Sequence, residues 1–353
     1  MPRPISARID QDALEHNLQI ARRATSARIM AVIKANGYGH GLLRVAEALA
    51  GADGFALLDI KDAIALREAG YRQTILLLEG FFDVADLEQI AAYDLATVVH
   101  SEWQIRCLDA YPRAGSLDVW LKVNSGMHRL GFPPLEAAMA MEALQRHRAV
   151  REVTLMTHFA NADEERGVSA QLETYNRIAA NYRAPRSLAN SAALLRYPDT
   201  HGEWVRPGLM LYGASPFREV PAERLGLKPA MTLKSRIIAT QMLKAGDEVG
   251  YGGKYRAERG MRIGIVACGY ADGYPRHAKN GTPLLVEGGR SQLLGRVSMD
   301  MLFADLTGHP EAGVGSEVTL WGAGMPIEEV ASFSETISYE LMCALTSRVP
   351  MLT

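Results

Sequence analysis

The segment RIMAVIKANGYGHG, residues 28–41, carries a lysine out of an apolar run and follows it with glycines around one tyrosine. A lysine at the end of a strand is most often a solvated terminus, so Lys34 alone proves little. Other polar residues also follow short apolar runs: Lys122, His158, Asn190, Ser191 and Arg206, with Arg129 in the loop after Lys122. Each is more often structural than functional when taken singly. Together they predict a cationic pocket suited to a phosphate and a carboxylate.

Gly208, in the stretch VRPGLMLYG, strengthens the phosphate interpretation. Barrel enzymes often hold phosphate on backbone N–H groups just beyond their eighth strand. A glycine after a strand also serves ordinary turns, so this signal is weak by itself. Combined with Lys34 at the end of the apolar run 29–33, the Gly208 signal suggests a phosphorylated aldehyde held by the lysine amine as a Schiff base. Pyridoxal 5'-phosphate (PLP) is the cofactor that combines these two features.

Tyrosines are frequent in the stretch EVGYGGKYRAERGMRIGIVACGYADGYPRH, residues 248–277. We interpret Tyr255 and Tyr274 as packing residues of a sheet. Tyr251 differs because it lies between two glycines, which leave its hydroxyl open to approach. A tyrosine acts as a general base only where cations lower its pKa from about 10. The predicted pocket could supply those cations.

The elements that position these residues follow a barrel pattern from Asp10 to about Tyr212. The eight predicted strands are Ile29–Ile33, Phe55–Leu58, Ile75–Leu78, Ala96–Val99, Val119–Val123, Val153–Thr157, Ser187–Ala189 and Trp204–Arg206. Strands that alternate with helices in this way close into a parallel (β/α)8 barrel. An open doubly wound sheet is the competing topology, but no G-x-G-x-x-G follows the first strand. The polar residues then fall at the carboxyl ends of the strands, where barrel enzymes work.

Beyond about Arg224 the pattern changes to β-rich runs such as MTLKSRIIAT, RIGIVA, TPLLVE and EVTLWG, separated by turns rich in Gly, Pro and Asp. In this region a helical spacing of apolar residues is scarce until Ile327–Phe333. We therefore predict a PLP-binding barrel domain over residues 1–225 and a β-rich domain over residues 226–353.

The composition narrows the classes of function. The 353 residues include 38 Lys and Arg and 40 Asp and Glu, so the net charge of −2 gives no case for nucleic acid or an anionic membrane as partner. No apolar stretch approaches the ~20 residues that a membrane span needs. The start of the chain, MPRPISARIDQDALEHN, lacks the apolar core of a secretion signal, which predicts a cytoplasmic protein. Cys107, Cys268 and Cys343 show no metal-ligand spacing and are expected to be buried free thiols.

A series of motifs resembles the alanine racemases. In chain order these are AVIKANGYGHG, LKVNSGMHRLGF, THFANADE, LANSAA, WVRPGLMLYG, VGYGGKY, GYADGYPR and GRVSMDM, and they cover nearly the whole chain. The resemblance implies a TIM-like (β/α)8 barrel with a second, mostly β domain, and a PLP-dependent isomerase that interconverts L-alanine and D-alanine. It also implies a homodimer with shared active sites, because the family tyrosine that matches Tyr251 reaches the pocket of the partner chain.

The resemblance also implies roles, position by position. Lys34 would bind PLP covalently and act as the base on the D-alanine side, and Tyr251 would be the base for L-alanine. Arg206 would face the pyridine nitrogen and His158 would lie against the ring. The phosphate would be held by Tyr38, Ser191, Gly208, Leu209 and Tyr339.

Further implied roles concern the substrate and Lys122. Arg129 would contact the phenolic oxygen of the cofactor and the substrate carboxylate, to which the backbone of Met299 would also bind. Lys122 matches a family position that is often carbamylated, which turns a cation into an anion and orients Arg129. Many members have Asp two residues after this lysine, whereas this chain has Asn124, so the hydrogen bonding of a carbamate would differ. No metal is implied.

The implied roles suit the chemistry of racemisation. A proton leaves one face of Cα and another arrives at the opposite face, so two bases, Lys34 and Tyr251, can flank the substrate. The conjugated ring of PLP delocalises the negative charge between the two transfers. Arg206 at the pyridine nitrogen would disfavour ring protonation, because two cations would then face each other, and this limits transamination.

The sequence leaves several functions open beside alanine racemisation. These are a PLP-dependent racemase of another small amino acid such as serine, a barrel-type PLP decarboxylase, and a non-catalytic PLP carrier. A decarboxylase needs no tyrosine opposite Lys34, and a carrier has no use for the motif VGYGGKY. Whether the product feeds D-alanine biosynthesis for peptidoglycan precursors or alanine catabolism also stays open.

Overall fold

A closed parallel barrel forms the first part of the chain in the computed structural model, which describes residues 3–353. Its strands, numbered here as barrel strands 1 to 8 in chain order, are Arg28–Val32, Gly54–Leu57, Thr74–Leu77, Ala96–Val99, Leu117–Lys122, Val150–Met156, Arg186–Ser187 and Trp204–Val205. Barrel strand 1 pairs in parallel with strand 2 on one side and with strand 8 on the other, which closes the barrel. The predicted (β/α)8 architecture is confirmed.

Helices surround the barrel strands. They are Gln11–Ala24, Leu42–Ala48, Ile60–Glu68, Val84–Ala92, Glu102–Ala110, Pro134–Arg146, Ser169–Ala179 and Ser191–Arg196, with 3-10 turns at Pro198–Thr200, Leu209–Tyr212 and Ala222–Leu225. The first helix begins after Asp10, whose carboxylate accepts a hydrogen bond from Ala13 N at 2.9 Å, as predicted for an N-cap. Within residues 3–353, no helix is long and apolar enough to cross a membrane.

Most residues of the barrel strands are buried because the strands are covered on both faces, and the exposed ones, such as Arg28, Arg151 and Glu152, lie toward the amino-terminal ends. Barrel strands 2 and 4, with the sequences GFAL and ATVV, are buried at every residue. Side chains along these two strands alternate between the barrel interior and the surrounding helices, so neither set meets water. The core therefore holds the strands rigidly, and the polar residues at their carboxyl ends are fixed by it.

The second part of the chain is an eight-stranded sheet. Its strands, in sheet order, are Met261–Val266, Leu302–Asp305, Gly289–Leu294, Pro283–Val286, Glu317–Trp321, Met231–Leu243, Ser6–Ile9 and Met351–Leu352. Met231–Leu243 also pairs with Met261–Val266, so the sheet returns to its first strand. A hairpin of Glu248–Val249 and Tyr255–Arg256 and the helices Ile327–Phe333 and Ser338–Cys343 complete this part.

Both ends of the chain contribute to the second sheet. Ser6–Ile9 pairs antiparallel with Met231–Leu243 and parallel with Met351–Leu352. The sequence pattern, by contrast, assigns all residues before 226 to the barrel domain. We propose that the boundary after the barrel lies near 225/226 and that residues 6–9 belong with the β-rich domain.

Lys34 opens a left-handed turn directly after barrel strand 1. The residues with positive φ in this turn are Ala35 (53°), Asn36 (54°), Gly37 (60°), Tyr38 (48°) and Gly39 (79°). This conformation costs about 1 kcal/mol or more for each residue other than glycine, so the surroundings must enforce it. The Asn36 side chain accepts a hydrogen bond from Leu42 N at 2.9 Å, and His40 Nδ1 donates to Tyr38 O at 2.8 Å. The turn sets both Lys34 and Tyr38 at the barrel mouth.

We expect Gly39→Ala to destabilise the protein more than a positive φ alone explains. A Cβ at Gly39, where φ is +79°, would lie 2.2 Å from the carbonyl oxygen of Met342. Gly288 has a φ of +78°, and a Cβ there would enter open space with no contact within 4 Å, so Gly288→Ala is the matched control. Both variants lose about 1 kcal/mol from the backbone conformation. Gly39→Ala should lose about 2 kcal/mol more of the free energy of unfolding in urea. Equal losses would contradict this close approach.

Candidate active site

Five predicted site residues gather at the carboxyl-terminal end of the barrel. Lys34 follows barrel strand 1, Lys122 ends strand 5, His158 follows strand 6, Arg206 follows strand 8, and Arg129 lies in the loop after strand 5. Burial lowers the pKa of His158 well below its usual value, and the positive charges of the other four lower it further. The imidazole is therefore neutral at neutral pH. The structure thus brings these groups into one cationic pocket.

The two lysines lose their protons more readily than exposed lysines do. Burial lowers the pKa of Lys34, and the nearby Arg129 lowers it further. Burial, followed by the charge of Arg206, lowers the pKa of Lys122 to about 8. Since only a neutral amine is nucleophilic, Lys34 is suited to covalent bonding with an aldehyde and to proton transfer. Lys122 is suited to reaction with carbon dioxide for the same reason.

Arg206 is a guanidinium buried against neutral partners. It is 4% exposed, and its Nη1 donates to Ser187 Oγ at 2.6 Å. Its Nη2 donates to the carbonyl oxygens of Thr157 at 2.6 Å and Leu188 at 3.4 Å. Burial lowers its pKa to about 10, so it stays charged at neutral pH. Because these partners are neutral, they do not cancel the positive charge that Arg206 brings to the pocket.

Ser191, Gly208 and Tyr38 form a cradle of hydrogen-bonding groups beside the lysines. Ser191 Oγ accepts a hydrogen bond from Gly208 N at 2.9 Å, and Leu209 is buried next to it. A Cβ on Gly208 would lie 2.7 Å from the Tyr38 hydroxyl, so any other residue would displace this hydroxyl. Hydroxyls and backbone N–H groups arranged in this way suit a phosphate.

An aromatic stack fixes the Tyr38 ring. Tyr38 stacks on Tyr212 with ring centroids 4.5 Å apart, and the Tyr339 ring lies 5.6 Å away at a tilt. Burial raises the pKa of Tyr38 well above its usual value and that of Tyr339 to about 12. Both hydroxyls therefore stay protonated and can donate to an anion. Tyr339 comes from the helix Ser338–Cys343, so the region after the barrel contributes to the pocket.

Tyr251 and Met299 lie outside this pocket in the single chain. Tyr251 is 70% exposed, on a turn that begins at Gly250 with a φ of 65°, and Met299 is 53% exposed. Neither side chain is packed into the described chain, since more than half of each is exposed. Both side chains are instead available to another molecule.

Sequence patterns did not select two polar residues of the pocket, Glu79 and His100. Glu79 follows barrel strand 3, and its negative charge raises the pKa values of Lys34 and Lys122. His100 follows barrel strand 4, and its Nε2 lies 3.2 Å from the Glu79 carbonyl oxygen. Both residues stand directly after predicted strands, so the rule that selected Lys34 would also have found them.

Cys343 corrects one expectation about the thiols. Cys268 is buried as expected, but Cys107 is only half-buried and Cys343 is exposed. Cys343 ends the helix that carries Tyr339 and is close enough to affect the pKa of Lys34. A short helix that borders the pocket leaves its last residue at the rim, which sequence spacing does not reveal.

Asn124 organises the loop that carries Arg129. Its Oδ1 accepts hydrogen bonds from Gly126 N at 3.2 Å and His128 N at 3.0 Å. The residue that departs from the common family pattern therefore has a local role in this chain. It shapes the turn between Lys122 and Arg129.

The barrel and its pocket define a class of (β/α)8 enzyme with a lysine amine beside a cradle suited to a phosphate. Residues 9–216 match the family described as alanine racemase, N-terminal domain, and residues 230–353 match alanine racemase, C-terminal domain. The chain belongs to the alanine racemase family.

Individual relatives agree over the full length of the chain. It is 58% identical to the alanine racemase of Nitrosospira multiformis and 53% identical to that of Erwinia tasmaniensis, with 100% of both chains covered in each case. The crystal structure of the biosynthetic alanine racemase from Pseudomonas aeruginosa is 45% identical, with a TM-score of 0.97 over 99% of both chains. The resemblance inferred from the motifs is confirmed.

Proposed function

We propose that this chain interconverts L-alanine and D-alanine with PLP as cofactor and with Lys34 and Tyr251 as its two bases. The observation that carries the proposal is the Lys34 amine, whose pKa is lowered at the mouth of a barrel. Relatives that match the whole chain are named alanine racemase. A racemase of serine and a barrel-type decarboxylase are less favoured, because the matches carry neither name.

The residues of the pocket fit PLP. A Cβ at position 208 would collide with the Tyr38 hydroxyl, so glycine allows that hydroxyl to lie against the backbone beside Ser191, where the phosphate would be held. Tyr38, Ser191, Leu209 and Tyr339 would hold the phosphate through hydroxyl and backbone donors. The positive charge of Arg206 would lie at the pyridine nitrogen, and the neutral His158 imidazole would lie against the ring. When bound, PLP supplies a conjugated ring that spreads the negative charge left on the alanine Cα.

The two bases would move protons on opposite faces of the substrate. On one face, Nζ of Lys34 accepts or returns the proton of D-alanine, and its lowered pKa raises the fraction of free amine at a given pH. On the other face, Oη of Tyr251 accepts or returns the proton of L-alanine. The cations Lys34 and Arg129 would stabilise a tyrosinate there.

The substrate carboxylate would be held by Arg129 and by the backbone N–H of Met299. A guanidinium binds a carboxylate through paired hydrogen bonds, and a backbone N–H adds one fixed donor. Lys122, when carbamylated, would carry a negative charge that orients Arg129. Its pKa of about 8 favours this modification, because the neutral amine is the form that reacts.

The exposure of Tyr251 and Met299 supports a homodimer with shared sites. A single chain leaves both residues on its surface, 70% and 53% exposed. A second copy could insert its own Tyr251 and Met299 into that pocket. A two-fold arrangement would then complete both pockets at once.

The biological role is proposed by similarity. The Pseudomonas aeruginosa protein is described as a biosynthetic alanine racemase, which supports a role in supplying D-alanine for peptidoglycan precursors. A cytoplasmic location fits this role, because small-molecule precursors are made there. Growth of a D-alanine-requiring bacterium after introduction of this gene would support the role.

One assay tests the proposed activity against its alternatives. The purified protein should show a visible absorption band from bound PLP and convert either alanine enantiomer to an equal mixture, since enantiomers have equal free energies. We expect alanine to react at least about tenfold faster than serine, because a site that binds a methyl group must accommodate an added hydroxyl. A PLP-loaded protein that racemises neither substrate, or that releases carbon dioxide from amino acids, would overturn the proposal.

We expect Arg206→Glu to slow racemisation by at least about tenfold and to permit transamination. A carboxylate at the pyridine nitrogen would favour a protonated ring, which accepts electrons more strongly. Pyruvate formed from alanine and the change in the visible spectrum would report this. Arg206→Lys retains the positive charge and should form little pyruvate. Unchanged racemisation without pyruvate in Arg206→Glu would show that Arg206 is not at the nitrogen.

A further inference from the structure

A buried carboxylate in the β-rich domain has no role in the chemistry above. Asp272, in the motif GYADGYPR, is 0% exposed. Its Oδ1 accepts a hydrogen bond from Arg3 Nη1 at 2.6 Å and lies 3.4 Å from Arg348 Nε. Its Oδ2 accepts from Gly269 N at 2.9 Å. The chain thus joins residues near its beginning and end to one buried side chain.

Both arginines also bind Asp300, in the motif GRVSMDM. Arg3 Nη2 donates to the carbonyl oxygen of Asp300 at 2.7 Å, and Arg348 Nη2 donates to its Oδ1 at 2.6 Å. Each arginine therefore links Asp272 to the residue that directly follows Met299. We call Arg3, Asp272, Asp300 and Arg348 the Asp272 cluster. Its two positive and two negative charges balance.

The turn of residues 269–272, which carries Asp272, also holds the backbone around Met299 through its own hydrogen bonds. Tyr270 N donates to Ser298 O at 3.1 Å, and Ala271 N donates to Met299 O at 2.9 Å. Gly269 packs so closely that a Cβ there would lie 2.3 Å from Met299 O. The carbonyl oxygens of Ser298 and Met299 are therefore held by this turn, so the segment around Met299 must follow any movement of the turn.

We propose that Asp272 is a positioning residue for the substrate carboxylate. The Asp272 cluster fixes the backbone of Met299, which reaches the pocket of the partner chain, so the inference rests on the proposed shared site. Burial does not fix Met299, which is 53% exposed. The hydrogen bonds on both sides of it do so instead. A displacement of about 1 Å in a binding group can cost up to a hundredfold in rate.

Asp272→Asn tests this role in the PLP-loaded enzyme. The amide oxygen still accepts from Gly269 N–H, but the charge that holds the arginines is lost. We expect KM for alanine and the inhibition constant of propionate to rise about tenfold, while kcat changes less than about threefold. Propionate has the carboxylate of alanine without its amine, so its inhibition reports carboxylate binding without turnover.

Two further variants make the test specific. Asp53 Oδ2 also accepts from an arginine and a backbone N–H, namely Arg22 Nη1 at 2.6 Å and Ile29 N at 2.7 Å. Asp53→Asn lies in the barrel and should leave both constants unchanged. Arg348→Gln opens the cluster from its solvent side, where 40% of the side chain is exposed. Arg348→Gln should also raise KM for alanine and the inhibition constant of propionate. It therefore provides the test if Asp272→Asn folds poorly.

Mixed dimers locate the effect. A Lys34→Ala chain and a Tyr251→Phe chain would together form one working pocket. That pocket takes Lys34 from the Tyr251→Phe chain and both Tyr251 and Met299 from the Lys34→Ala chain. Asp272→Asn on the Lys34→Ala chain should raise KM about tenfold. On the Tyr251→Phe chain it should leave KM unchanged.

The possible outcomes distinguish failure of the positioning role from failure of the shared-site proposal on which it rests. If the parental mixture gains no activity although mixed dimers form, the shared site is wrong and the positioning role falls with it. If the mixture is active but Asp272→Asn acts equally on either chain, the effect is structural and the positioning role is wrong. The role is also wrong if KM and propionate inhibition do not change in either mixture.

Discussion

Lys34→Ala is expected to abolish the visible absorption of lysine-bound PLP and nearly all racemisation. The variant removes the only amine in the turn after barrel strand 1, and with it both the covalent attachment and the base for D-alanine. Loss of a covalent catalyst raises the barrier by at least several kcal/mol, which is a loss of many powers of ten in rate. Absorption spectra of the purified variant and a chiral assay of alanine measure the two effects.

Lys34→Arg is the matched control for charge. Arginine keeps a positive charge beside the phosphate cradle but does not lose its proton at neutral pH, so this variant should be as inactive as Lys34→Ala. Circular dichroism should show that both variants fold. An unchanged spectrum and unchanged activity in Lys34→Ala would rule out Lys34 as the cofactor anchor.

The barrel was predictable because its strands are short, apolar and regularly spaced. The predicted and observed bounds of barrel strand 4 are the same, Ala96–Val99, and the other strands differ by a few residues at their ends. Ser6–Ile9 could not be assigned in this way. Its partner strand, Met231–Leu243, lies more than 200 residues further along the chain, and local pattern holds no information about such a pairing.

The pocket was predictable for a related reason. All parallel strands of a barrel end on the same side, so polar residues that follow them must lie near one another. Lys34, Lys122, His158 and Arg206 obey this rule. The left-handed turn at Ala35–Gly39 was not foreseen, because its conformation is imposed by contacts such as that of Gly39 with Met342.

Residues that act through distant partners escaped sequence reasoning. The Asp272 side chain is paired with Arg3, which is 269 positions away in sequence. In the motif GRVSMDM, Asp300 can equally be explained as an ordinary turn residue. Only the folded chain shows that two arginines join these aspartates. Sequence spacing identifies groups at the ends of adjacent strands, whereas ion clusters between chain ends depend on the three-dimensional fold.

Tyr251→Phe is expected to separate the two bases. The variant keeps the aromatic ring and removes Oη, the only atom of this side chain that transfers a proton. In deuterated water, D-alanine should still exchange its α-proton because Lys34 remains, while exchange of L-alanine and net racemisation should fall a hundred- to ten-thousand-fold, roughly the value of one general acid–base group. Mass spectrometry of each enantiomer measures the exchange. Equal losses for both enantiomers would contradict the assignment of one base to each face.

Mixing Tyr251→Phe with Lys34→Ala then tests whether Tyr251 acts across the dimer interface. Tyr251 is exposed in its own chain, so we expect it to serve the pocket of the partner. In a mixed dimer, one pocket has both substitutions and the other has neither, because each pocket takes its lysine and its tyrosine from different chains. Activity should therefore reappear after subunit exchange and approach half of the wild-type value for each mixed dimer. If Tyr251 instead serves its own chain, each pocket keeps one defect, and mixed dimers detected by mass spectrometry remain inactive.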